Sequence, residues 1–165
     1  MRLSSALPII FAVTMMFLSY SCAESAEYKD ARANISFEID DSWSVSNRAP
    51  LTLVSPDGGT VLIFEVVKAF SLDDALDDAE VFLGKNLSNI TMTPRKDMLI
   101  NGIPSAEVEG KCKMNGIPAN YRLLVLAGSK DWYTYLYYFG APGYETVNKD
   151  TISKFAGSIK KIRQK

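Results

Sequence analysis

Two Asn-Gly pairs constrain the fold of this chain more than any other feature. They are Asn101-Gly102 and Asn115-Gly116, and each lies between long runs of strand-forming residues. Both residues of such a pair accept the positive φ angles of a type I′ turn, which joins neighbouring antiparallel strands. The second half of the chain is therefore predicted to form an antiparallel meander. We expect its strands at residues 92–100, 103–114, 117–127 and 132–139.

The second Asn-Gly pair also sets the register of the strands around it. A two-residue loop places Cys112 opposite Ala119 and Glu109 opposite Arg122. Side chains two positions apart share a face of a strand, so the face with Cys112 is apolar and the opposite face is charged. The charged face carries Glu107, Glu109, Lys111 and Lys113. We expect the Cys112 thiol to be buried and unreactive.

Apolar patterning predicts three further strands in the first half of the chain. Apolar and polar residues alternate in Ile35–Ile39, as they do in a half-buried strand. Leu51–Val54 is predicted to be a short strand that ends in the turn cluster Ser55–Gly59. Thr60–Val67 is continuously apolar and rich in β-branched residues, so we expect a central strand that is covered on both faces.

Two segments carry the signals of helices. Ser71–Leu87 has an apolar stripe at helical spacing, and Ser71 is placed to cap its N-terminus. A second helix is expected at residues 143–157, after Pro142. The combined pattern predicts an α+β fold, in which helices pack on the faces of an antiparallel sheet of about six strands.

The N-terminus has the three-part pattern of a secretory signal. Met1-Arg2 is positively charged, an apolar run follows from Ala6 to Leu18, and the small residues Ser21 and Ala23 stand before a cleavage position. The apolar run is shorter than the ~20 residues that cross a bilayer. We therefore expect residues 1–23 to be a signal peptide that exports the protein, with an uncleaved anchor as the alternative.

Cys22 leaves a second alternative open. A cysteine directly after an apolar run can become the lipidated first residue of a bacterial lipoprotein. The match is partial, because Leu18 is one position further from Cys22 than such sites prefer. The chain is accordingly expected to be periplasmic or secreted, or anchored as a lipoprotein through Cys22. We expect residues 24–33 to be a flexible leader and residues 34–165 to form a single α+β domain.

Composition argues against several classes of function. The chain has no histidine, which excludes histidine-based general-base catalysis, Ser/Cys-His triads and most zinc sites. Its net charge is −1, which gives no support to nucleic-acid binding. Removal of the signal peptide would leave Cys112 without a disulfide partner. We therefore predict no catalytic residues, no cofactor and no metal site.

The aromatic run Trp132–Phe139 is the most unusual local feature. On a strand, Tyr133, Tyr135 and Tyr137 project from one face. A turn of two or four residues before this strand would place Arg122 beside Tyr135 or Tyr137, close enough for a cation–π contact. This face is the candidate ligand or partner site. The alternative, which we favour, is that a helix covers the face and only the hydroxyl groups reach water.

The order of these segments resembles the PsbP/DcrB-like superfamily. The likeness rests on ISFEIDDSWSV (Ile35–Val45), on the helix SLDDALDDAEVFLGKNL and on the closing AGSIKKI (Ala156–Ile162), and it covers most of residues 33–162. The resemblance implies an α/β/α sandwich. It also implies a role in binding other proteins, because members include accessory subunits of photosynthetic oxygen evolution and bacterial envelope lipoproteins. It supplies no catalytic residues.

These observations favour an exported, non-enzymatic accessory protein of the cell envelope that acts through protein–protein contacts. The expected partner is another envelope protein. We expect no nucleic acid, and contact with a membrane only through a lipid anchor at Cys22. The alternative function is a small-ligand carrier or sensor with a pocket near Arg122, Tyr135 and Tyr137.

Overall fold

The computed structural model describes residues 26–162. The expected signal peptide, residues 1–23, and the lipidation candidate Cys22 lie outside the described residues. Within residues 26–162 the chain forms eleven strands and three helices. The elements are β1 (Ala26–Asp30), β2 (Ile35–Ile39), β3 (Ser44–Arg48), β4 (Leu51–Val54), β5 (Thr60–Lys68), α1 (Leu72–Asn86), β6 (Ser88–Met92), β7 (Lys96–Ile100), β8 (Ile103–Met114), β9 (Ile117–Ser129), β10 (Trp132–Gly140), α2 (Tyr144–Val147), α3 (Lys149–Ser158) and β11 (Lys160–Lys161).

The main sheet has eight antiparallel strands, in the order β3-β4-β5-β10-β9-β8-β6, with β7 also paired to β8. A smaller sheet has the order β1-β2-β11. The expected α+β class is confirmed, but the main sheet is larger than the six strands expected. The edge strand β3 is exposed along its whole length and shows no apolar alternation. The strand expected at residues 92–100 is observed as β7 from Lys96 onwards, and a separate strand, β6, ends at Met92.

Two apolar cores lie on opposite faces of the main sheet. One core lies under the small sheet and α3, where Phe37 stacks on Phe64 with ring centroids 4.3 Å apart and Phe155 meets both rings edge-on. The other core lies under α1, which buries Leu76 and Leu83 against β8, β9 and β10. The molecule is therefore dominated by sheet, instead of having helices as the cover on both faces.

The two Asn-Gly turns have the expected geometry. Asn101 and Gly102 have φ angles of 49° and 80°, and Asn115 and Gly116 have φ angles of 52° and 83°. The register between β8 and β9 is the expected one, with Cys112 opposite Ala119 and Glu109 opposite Arg122. Cys112 is buried, as expected, and burial raises the pKa of its thiol.

The expected flexible leader at residues 24–33 is wrong for the residues that are described. Residues 26–30 form β1, which pairs with β2, and the Tyr28 ring stacks on Phe37 at 4.7 Å. The buried carboxylate of Asp30 accepts hydrogen bonds from the backbone N–H groups of Arg32 and Ala33. The polar composition of residues 26–30 did not predict a strand. The stacked ring of Tyr28 and the capping carboxylate of Asp30 hold the strand in place.

The closing helix is interrupted where the sequence predicted one continuous helix. Asn148 separates α2 from α3, and its side chain is buried. The amide of Asn148 donates hydrogen bonds to Thr60 Oγ1 at 3.0 Å and to Asp57 Oδ2 at 3.4 Å. The break is therefore the point at which the C-terminal helices attach to the turn between β4 and β5. The first helix begins as expected, with Ser71 Oγ accepting from the Asp74 N–H at 3.1 Å.

Candidate functional site

The expected pairing of Arg122 with the tyrosine face does not occur. In the observed register Tyr135 lies opposite Val125, Tyr137 lies opposite Leu123, and Arg122 lies opposite Tyr138. Side chains of paired residues share a face, and neighbours along a strand alternate. Arg122 therefore lies on the face of the main sheet that is turned away from Tyr133, Tyr135 and Tyr137.

An irregularity at Gly128 causes this difference. Trp132 pairs with Ser129 but Tyr133 pairs with Ala127, so Gly128 is an extra residue in β9. A one-residue shift of register moves every following side chain to the other face of the sheet. A Cβ atom at position 128 would collide with the carbonyl oxygen of Ala33, so the close approach of these two backbone segments requires glycine.

The three tyrosines predicted as candidate site residues are packing residues under α1. Tyr133, Tyr135 and Tyr137 are 7%, 4% and 2% exposed. Burial raises the pKa of Tyr135 to about 12, and burial likewise raises the pKa of Tyr137. The hydroxyl of Tyr137 is buried without a hydrogen-bond partner in the described part of the chain, so it does not reach water. The alternative of a helix-covered face describes this region better than a binding surface does.

Arg122 lies instead in a groove on the opposite face of the main sheet. The groove has a volume of about 520 Å³ and lies between the β8–β9 hairpin and α3. Volumes of ~300–1,000 Å³ are typical of ligand pockets. The groove is lined by Thr93, Glu109, Gly110, Lys111, Asn120, Tyr121, Arg122, Tyr138, Lys149, Ile152 and Ser153. We call this set of residues the groove.

Ion pairs fix the position of Arg122 within the groove. Its Nη2 lies 3.3 Å from Glu109 Oε2, and its Nε lies 3.6 Å from Glu107 Oε2. Glu109 also accepts a hydrogen bond from Lys96 Nζ at 3.1 Å. This hydrogen bond and the charge of Arg122 hold the pKa of Glu109 below its usual range, against the opposing effect of burial. Both glutamates therefore have Arg122 as an ion-pair partner.

Two lysines give the groove a surplus of positive charge. Lys111 extends from β8, and Lys149 is the first residue of α3. Neither side chain forms an ion pair with any carboxylate that the structure describes. The groove thus contains three cationic side chains and one carboxylate, which is already paired. The arrangement is suited to binding anionic groups.

The charged residues on β8 were predicted from the sequence, but the groove was not. The alternation of Glu107, Glu109 and Lys111 with apolar residues predicted a polar face, and the structure confirms it. The position of α3 over that face depends on how Asn148 attaches the C-terminal helices, and no local sequence signal predicts that attachment.

In the part of the chain from residue 26 to residue 162, no group of three or more Cys, Asp or Glu side chains is arranged to hold a metal ion.

None of the helices in that part is both long enough and apolar enough to cross a membrane.

Comparisons by sequence find no relatives, since no protein-family model and no curated protein matches this chain. Comparison by structure does find proteins of similar fold. CyanoP, the cyanobacterial PsbP of Synechocystis sp. PCC 6803, matches with a TM-score of 0.63 and 12% identity, over 87% of this chain and 95% of its own. LpqN of Mycobacterium tuberculosis, which is involved in cell envelope biogenesis, matches with a TM-score of 0.59 and 13% identity, over 84% of this chain and 85% of its own.

A third match is a protein of unknown function from Pseudomonas aeruginosa, with a TM-score of 0.51 and 13% identity, over 82% of this chain and 96% of its own. These identities are low, so the matches show a shared fold and do not show a shared activity. They agree with the resemblance carried by the opening strand, the acidic helix and the closing AGSIKKI. The chain therefore shares its fold with CyanoP and LpqN.

Proposed function

We propose that this chain is an exported, non-enzymatic accessory protein of the cell envelope, which acts by binding another envelope protein. The observation that carries the proposal is the groove, a concave and charged surface to which the two apolar cores contribute only Tyr121 and Tyr138 from among their buried residues. A binding role is supported because the groove contains fixed charges but no histidine, and therefore no imidazole to serve as a general base.

The cellular location rests on two independent supports. Residues 1–23 have the pattern of a secretory signal, with Cys22 as the position for a lipid anchor. LpqN, which shares the fold, is involved in cell envelope biogenesis. Mass spectrometry of the protein from a membrane fraction tests the location: a mature N-terminus at Glu24 supports a free exported protein, and a diacylglyceryl group on Cys22 supports a lipoprotein. An intact Met1 in a cytosolic fraction would contradict export.

Chemical cross-linking in intact cells, followed by affinity purification, tests the binding role. The wild-type chain should yield one partner in stoichiometric amount, and a Lys111→Glu/Lys149→Glu variant should lose it. The matched control is Lys85→Glu, which reverses a charge on α1 at the far side of the main sheet. Retention of the same partner by the groove variant would show that the groove is not the binding surface.

A small-ligand carrier or sensor is the second candidate, and the volume of the groove favours it. In this version the pocket near Arg122 is formed with Tyr138, and not with Tyr135 or Tyr137. Native mass spectrometry distinguishes the candidates. A small molecule that copurifies with the wild-type chain, but not with the groove variant, supports the carrier.

A further inference from the structure

We propose that the groove recognises an acidic, carboxylate-rich segment of a partner protein. This inference rests on the proposed function and specifies the chemistry of the partner. It starts from the charges of the groove, where Lys111, Arg122 and Lys149 stand against the lining carboxylate of Glu109 and the adjacent carboxylate of Glu107, both of which pair with Arg122. An excess of cations in a chain with a net charge of −1 is a local property of this surface and not of the whole protein.

The ion pairs of Arg122 leave part of its guanidinium group available to a ligand. Glu107 and Glu109 contact Nε and Nη2, so the guanidinium is held in one orientation, while Nη1 has no described carboxylate as a partner. The side chain is 48% exposed. An arginine positioned in this way can offer its remaining N–H donors to a carboxylate, which is a geometry that guanidinium groups favour.

The opposite side of the molecule would repel the same ligand. The helix α1 carries Asp73, Asp74, Asp77, Asp78 and Glu80. An acidic segment that approaches the protein is therefore attracted by one face of the main sheet and repelled by the other. Such an arrangement orients association and makes it dependent on ionic strength.

The rest of the lining favours a polypeptide over a simple anion. The amide of Asn120 and the hydroxyl of Ser153 lie beside apolar contact surface from Ile152 and Tyr138. A groove that offers both polar and apolar groups suits a chain whose backbone and side chains need both kinds of contact. A planar membrane surface would fit a concave groove poorly, so anionic lipid serves as a competing outcome in the test.

The test measures fluorescence anisotropy of a labelled hexaglutamate peptide with the full mature chain. We expect saturable binding that weakens as salt increases, and no binding of labelled hexaglutamine. The double variant Lys111→Gln/Lys149→Gln should bind hexaglutamate about tenfold more weakly, since two exposed charge contacts are lost. The control Lys85→Gln, on α1, should bind like the wild type.

Three results would overturn the inference: no saturable hexaglutamate binding, equal weakening by the groove variant and the Lys85→Gln control, or stronger binding to phosphatidylglycerol vesicles than to the peptide. The fate of the proposed function is separate. If cross-linking yields a partner that depends on the groove while hexaglutamate does not bind, the inference is wrong and the proposed function stands. If neither is found, both are wrong.

Discussion

The two faces of the main sheet are built by the same strands, β8, β9 and β10, yet they differ in almost every property. The α1 face is dry and aromatic, with Tyr135 and Tyr137 buried under the helix. The groove face is divided: the small sheet and α3 cover one part, and charged residues line the open remainder. Alternation along a few strands is therefore enough to place an apolar core on one face of the main sheet and a charged groove on the other.

The α1 face is where a substitution should cost the most stability. Leu83 projects from α1 and is fully buried against the main sheet, so Leu83→Ala removes apolar contacts and leaves a cavity. We expect the free energy of unfolding to fall by about 2–5 kcal/mol, measured by urea denaturation. Val81→Ala, on the same helix at 54% exposure, should change it by about 0.5 kcal/mol or less. Equal effects of the two changes would show that α1 does not pack as described.

Gly128 decides which side chains of β9 reach each face relative to β10, so its replacement tests the comparison directly. Gly128→Ala forces a Cβ atom against the Ala33 carbonyl, and we expect a loss of about 1–3 kcal/mol in urea denaturation. Gly84→Ala is the matched control, because a Cβ there meets no atom within 4 Å. In a helix interior it should stabilise the protein by about 0.4–1 kcal/mol. A neutral Gly128→Ala would contradict the close approach of the two backbones.

Asp30 gives the covered part of the groove face a dependence on pH. Burial alone would raise the pKa of Asp30, but the Arg32 side chain and the N–H groups of Ala33 and Arg32 outweigh burial and lower it. The ionised carboxylate therefore contributes stability above the ordinary value of 3.8, and this contribution is lost as the pH falls through the lower pKa of the folded state.

Asp30→Asn should therefore lower the free energy of unfolding by about 1 kcal/mol at pH 7. The difference from the wild type should narrow in urea denaturation series carried out below pH 4. A difference that is constant or grows toward acid pH would show that the carboxylate is not stabilised by its partners. Asp41→Asn, at an exposed position in the turn between β2 and β3, serves as the control.

Removing the hydroxyl groups of two tyrosines that face α1 should give the smallest changes in stability, with a loss at one position and no loss at the other. The Tyr121 hydroxyl donates a hydrogen bond to the Thr91 carbonyl at 3.2 Å, so Tyr121→Phe should cost about 0.5–1.5 kcal/mol. The Tyr137 hydroxyl has no partner among the described residues, so Tyr137→Phe should be neutral or slightly stabilising. Thermal denaturation of the two variants side by side checks the prediction, and an equal loss in both would contradict it.

The sequence predicts most of what is local in this fold. The Asn-Gly turns require positive φ angles, and the two-residue loop at Asn115-Gly116 then determines the whole β8–β9 register. The buried Cys112 follows from that register. The β9–β10 register could not be derived in the same way. It depends on one extra residue, Gly128, whose place is set by contact with Ala33, which is remote in sequence.

The expected pairing of Arg122 with the tyrosine face was wrong for the same reason. Arg122 and Tyr135 were assigned to one face from the length of a turn, and the shift at Gly128 separates them. The groove is bordered by α3 on one side and by β8 and β9 on the other, and the side chain of Asn148 anchors the start of that helix. Polar anchors of this kind leave no periodic pattern, whereas apolar faces do.

The reactivity of the buried Cys112 thiol would report how often the structure around it opens. A thiol reagent can reach this sulfur only when the hairpin separates from α1, and the raised pKa of the thiol further slows its reaction. The rate of modification in the mature chain would therefore measure how often this half of the molecule comes apart under native conditions. A partner bound in the groove should hold the β8–β9 hairpin in place and slow the modification of Cys112. A slower rate would then show that the groove is occupied, with no label attached to the protein.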